Sequence, residues 1–63
     1  MSLKDELTVE HRELNSKVKA LREFALSDTF DDLNVVDRVL LKAQLQAMED
    51  YLNLLWVRVT LSE

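Results

Sequence analysis

An all-α fold, an antiparallel helical hairpin that assembles with copies of itself, is what this sequence predicts. Three observations carry that expectation. The 63 residues contain no Gly, no Pro and no Cys, which removes the residues that shape tight hairpin turns, break helices or staple a small core. Two long segments repeat apolar residues at helical spacing, with a short polar break between them. The second segment carries two apolar rows, where a simple hairpin needs one.

The first segment, from about Leu3 to Ala25, places Leu3, Leu7, Leu14, Val18, Leu21 and Ala25 on one stripe, with His11 in the remaining heptad position. That is one buried face and no more. Ser27-Asp28-Thr29 follows, polar and turn-prone. Thr29 with Asp32 three residues on resembles a capping box, so a single helical turn is expected over Phe30 to Leu33. Asn34 with Asp37 repeats the device and predicts the cap of a last helix running to about Thr60. At about 1.5 Å per residue the two long helices span on the order of 35 to 39 Å, matched lengths for an antiparallel pair. Phe24, Phe30 and Leu33 then plug the closed end. The chain reads as one domain, residues 1–63.

In the last helix, Leu41, Leu45, Met48, Leu52, Leu55 and Val59 form the seam towards the first helix. Beside them run Leu40, Gln44, Ala47, Tyr51, Leu54 and Arg58. A chain this short has no further element to cover the second row, and small scaffolds usually need a disulfide, a metal or a partner subunit. Homo-oligomerisation through Leu40, Ala47, Tyr51 and Leu54 is therefore expected.

The net charge of −4 argues against generic binding to long nucleic acid, which rests on neutralising many phosphates. Locally the balance differs: Arg12, Lys17, Lys19 and Arg22 stand against Glu13 alone. Such a run is most simply a solvated face paired with Glu10, Glu13 and Glu23. The sharper alternative is an anion site formed where subunits meet. Arg58, one turn beyond Leu54 on the second row, favours it, because a charge brought to an interface needs an anion or a carboxylate.

Other chemistry has little support in the residues. His11 is the only histidine and Glu10 lies beside it rather than at a ligand spacing, so neither a metal nor another cofactor is expected. No carboxylate pairs with an obvious nucleophile, and an enzyme is not the expectation. Met48 and Tyr51 fit packing. Trp56 is turned about 100° from Leu55, either against a neighbouring subunit or exposed. No apolar run approaches the roughly 18 residues of a membrane span and the charged start does not read as a signal peptide. A cytoplasmic protein is the default expectation.

The pattern FxxLxxxDRxLLxxQLxAMxxYLxxLxxR, formed here by Phe30, Leu33, Asp37, Arg38, Leu40, Leu41, Gln44, Leu45, Ala47, Met48, Tyr51, Leu52, Leu55 and Arg58, closely resembles a group of small phage proteins. The preceding ELNSKVKALREF resembles the same group's first helix. That family includes the anti-CBASS sponges, compact helical hexamers built from dimers that sequester the cyclic oligonucleotide messengers of bacterial antiphage immunity. The resemblance implies a ligand-binding role for Lys17, three residues after Leu14, towards cyclic dinucleotides. It implies a role for Arg58 in a separate pocket for cyclic trinucleotides. The aromatic residue that closes over a base in those sponges has no counterpart, since Ser2 and Leu3 stand in its neighbourhood. A cytoplasmic location in an infected or lysogenic host follows from the same resemblance. The alternative is a phage protein-interaction module that uses its apolar rows without a nucleotide; a nucleic-acid accessory protein ranks behind both.

Overall fold

A computed structural model of the chain describes residues 2–62. Three helices follow in order: α1 (Leu3–Ala25), α2 (Asp28–Asp31) and α3 (Val35–Leu61). The long pair packs together as a hairpin, 45 × 15 × 13 Å. Among the described residues there is no strand.

Each helix start is fixed by a short polar side chain. Ser2 Oγ accepts the Asp5 N–H at 3.1 Å, while the Asp5 carboxylate accepts the Ser2 N–H at 3.5 Å. This reciprocal cap satisfies two otherwise orphaned donors at the start of α1. Asn34 caps α3 as its spacing predicts, with Oδ1 accepting the Asp37 N–H at 2.8 Å and Nδ2 donating to the Asp37 carboxylate at 2.9 Å.

The short helix starts earlier than the Thr29–Asp32 spacing predicts. Ser27 is its cap, accepting the Phe30 N–H at 3.2 Å. The same hydroxyl donates to the Phe24 carbonyl at 2.6 Å, so one side chain both receives the last turn of α1 and opens α2. Thr29 has no equivalent second partner, which is why the start moves to Ser27. Phe30 is then buried against Phe24, edge to face with ring centroids 6.1 Å apart, and Lys42 Nζ lies 5.8 Å from the Phe30 centroid. The closed end is plugged as expected.

The division of α3 into two rows holds within the chain. Leu55 and Val59 are buried with Leu7, Leu14 packs against them, and Leu41, Leu45, Met48 and Leu52 are half-buried. Leu40, Gln44, Ala47, Tyr51, Leu54 and Arg58 are all exposed. One hairpin covers one row.

Candidate functional site

The second row of α3 is a partly apolar surface that the hairpin leaves uncovered. Leu40 and Leu54 are each 61% exposed, with Ala47 between them and Val36, Val39, Val57 and Leu61 at the flanks. At the closed end a groove of about 370 Å³ opens beside this row, lined by Phe24, Leu33, Leu40, Leu41, Gln44 and Asp37. Its wall is apolar with one carboxylate. Such a surface is costly to leave against water.

Tyr51 is less free than the other members of the row. Its hydroxyl donates to Glu10 of α1, tying the two helices across 41 residues of sequence. That hydrogen bond, with desolvation and the Glu10 charge behind it, raises the phenol above its ordinary range; the positive charge of Arg58 acts in the opposite sense. Glu10, Tyr51 and Arg58 therefore form one electrostatic neighbourhood. Sequence reading placed Tyr51 at an interface without its bond to Glu10.

Lys17 is exposed in the middle of α1, and Arg58 is exposed in the last turns of α3. The hairpin does not join them. His11 packs on Trp56, and at about 1.5 Å per residue Lys17 lies roughly 9 Å towards the closed end from that level, while Arg58 lies roughly 3 Å the other way. Along the hairpin axis the two side chains therefore start roughly 12 Å apart. Arg58 also sits where the helix dipole is negative, a favourable place for a cation.

The basic run of α1 is only partly the solvated face it resembles. Arg22 reaches across to α3 instead of pairing along α1: Nη2 and Nε donate to Glu49 Oε1 at 2.9 and 3.3 Å. Arg12, Lys17 and Lys19 remain exposed. Trp56 is 54% exposed and lies against His11, ring centroids 5.2 Å apart at 47°. Its first neighbour is thus in its own chain, a contact that antiparallel pairing of His11 with Trp56 at the open end could have suggested. Among the described residues no cluster of His, Cys, Asp and Glu could hold a metal ion, and no helix is long and apolar enough to cross a membrane.

Neither a curated protein nor a solved structure matches the chain. One family does: the model of Sequestin matches residues 1–61, nearly the whole sequence. That span takes in both long helices, the exposed row, Lys17 and Arg58, so the family likeness and the surface described above concern the same residues. The chain belongs to the Sequestin family.

Proposed function

We propose that this protein is a sponge: a homo-oligomer that binds cyclic oligonucleotide messengers at sites between its subunits and withholds them, as a phage defence against host immunity. The observation that carries the reading is the exposed row of α3, which holds Arg58 in line with Leu40, Ala47, Tyr51 and Leu54. Burial of that row against other copies brings Arg58 to a subunit boundary. The family's name, which denotes sequestration, supports the same reading.

Symmetry explains how a chain of net charge −4 can hold an anion. A cyclic dinucleotide has approximate two-fold symmetry and a cyclic trinucleotide three-fold, so one basic residue per subunit becomes two or three per site. Lys17 serves the first ligand class and Arg58 the second, and a guanidinium suits forked contact with phosphate. The protein acts by binding, not as an enzyme, and uses no cofactor. In this reading it works in the cytoplasm of the host.

Heat-released ligand from purified protein, read by mass spectrometry, and calorimetry with both ligand classes test the proposal. Cyclic trinucleotides should bind at least as well as dinucleotides, because the dinucleotide site lacks its amino-terminal aromatic, and base stacking is worth roughly 1 to 3 kcal/mol. Arg58→Ala should abolish trinucleotide binding and Lys17→Ala should affect the dinucleotide. Absence of heat and of thermal stabilisation with both classes refutes the sponge. The exposed Trp56 and Leu54 favour a second reading, a protein-interaction module, which that result would leave standing.

A further inference from the structure

We propose that a second copy of this chain docks along α3 in antiparallel orientation, about a two-fold axis at Ala47, so that the last turns of each α3 fill the closed-end groove of the other. The inference rests on the self-association proposed above and specifies its geometry.

The groove sets the chemistry of its occupant. Phe24, Leu33, Leu40 and Leu41 make it apolar, and Asp37 gives it one negative charge. The complementary element must be apolar with one positive charge. Residues 54–61 answer that description, since Leu54, Val57 and Leu61 are exposed and Arg58 is the segment's only charged residue.

Register then follows from matching positions about Ala47. In an antiparallel pair, a residue a given number of places before the axis lies opposite the partner residue the same number after it. Leu40 meets the partner's Leu54, and the partner's Leu61 reaches past the first turn of α3 to the groove that Leu33 lines. Gln44 falls within one position of the partner's Tyr51, and Asp37 within one position of the partner's Arg58. The exposed Leu40 and Leu54 meet each other, and Asp37 and Arg58 meet as opposite charges. The methyl of Ala47 at the crossing allows the axes to approach to about 8 Å. Sliding the copies to the next interlocking register puts Leu40 opposite Arg58 and Asp37 opposite Leu61, which desolvates both charges against leucine at a cost nothing offsets. The contact is isologous, so it closes as a dimer and fills both grooves at once.

The same geometry bears on the anion sites. Across this axis the two Arg58 residues stand about 33 Å apart, from the helical rise of 1.5 Å per residue. Asp37 takes one edge of the guanidinium fork and leaves the other edge open. A site that gathers several Arg58 side chains is therefore built between dimers, not within one.

Because the native chain has no cysteine, single-cysteine variants read the register directly. Two Cα atoms must lie within about 4.4 to 6.8 Å to form a disulfide, which a close crossing at Ala47 provides. Under mild oxidant Ala47→Cys should convert mostly to a covalent dimer. Leu54→Cys, whose copies are about 21 Å apart by the same rise, should stay unlinked alone and cross-link when mixed with Leu40→Cys. Asp37→Arg should weaken the dimer at least tenfold, with recovery in the double variant Asp37→Arg/Arg58→Asp. Light scattering that shows association while Ala47→Cys stays unlinked, or while Leu54→Cys links to itself, overturns the antiparallel register. Failure of the charge swap to restore the dimer overturns it too. A wild-type monomer removes self-association itself, and this inference with it.

Discussion

Leu54 and Leu55 are neighbours in sequence with opposite surroundings, and truncating each to alanine separates folding from assembly. Leu55 is 0% exposed, enclosed with Leu7, Val59 and Leu14. A fully buried Leu→Ala change costs about 2 to 5 kcal/mol. At roughly 0.05 to 0.15 kcal/mol per residue a domain of this length holds only about 3 to 9 kcal/mol, so Leu55→Ala should remove a large part of it. For a domain of this size about 4 to 8 °C is lost per kcal/mol, so Tm should fall by about 10 °C or more at every protein concentration. Leu54 is 61% exposed, and at about 25 cal/mol per Å² its remaining burial within the chain is worth less than about 1 kcal/mol. Leu54→Ala should keep the helical signal and lose the rise of Tm with concentration that assembly confers. Far-UV circular dichroism melts over a concentration series, with light scattering on the same samples, measure both. Equal Tm losses with unchanged mass in the two variants would refute the division of α3 into an inner and an outer row.

Three further outcomes follow from the polar contacts. Tyr51 is the only tyrosine and its phenol is raised chiefly by the bond to Glu10; the folded state therefore holds its proton more tightly than the unfolded chain. The stability this lends is intact below the ordinary tyrosine range and is lost as pH rises through the folded pKa, so ultraviolet titration should show late ionisation and Tyr51→Phe should remove this alkaline loss. Arg22→Ala should destabilise the fold by no more than about 1 kcal/mol, since exposed ion pairs are worth little; a difference from wild type that persists in high salt would mean that packing of the Arg22 stem matters more than its charge. Asn34→Ala should cost about 1 kcal/mol, because it leaves the Asp37 N–H without its cap acceptor, and a denaturant titration measures it.

The parts of the fold that were legible in sequence are those that local chemistry decides. Apolar spacing defines α1 and the inner row of α3, and Asn34 announces the start of α3 by a bond to a residue three positions away. The cap of α2 was misplaced because two candidate acceptors, Ser27 and Thr29, lie two residues apart. Only the end of α1, where Ser27 also donates to the Phe24 carbonyl, chooses between them. Contacts across the hairpin were harder to see. Arg22 has carboxylates near it on its own helix, yet it pairs with Glu49, and His11 meets Trp56; both depend on the axial register of α1 against α3, which spacing along one helix does not contain. The candidate binding residues fall between these cases. Lys17 and Arg58 are exposed as their positions on the helices imply, but in the proposed oligomer what converges on them would depend on copies of the chain.

For the proposed sponge, that dependence would have a thermodynamic consequence. A lone Arg58 on a chain of net charge −4, already compensated by the negative end of its helix dipole, is a weak ligand for phosphate in water. Under the sponge reading, strength would come when several copies present the same side chain to one anion. Binding and assembly are then linked, because a ligand that occupies the assembled state and not the single chain stabilises assembly by RT ln(1 + [L]/Kd). In the proposed oligomer the apolar row would supply the part of the association that is independent of ligand, through Leu40, Ala47 and Leu54. A chain with that row alone would assemble without discriminating ligands, and one with Arg58 alone would discriminate without retaining them. In the proposed sponge, their alternation along one helix face would couple retention to assembly in a chain of 63 residues.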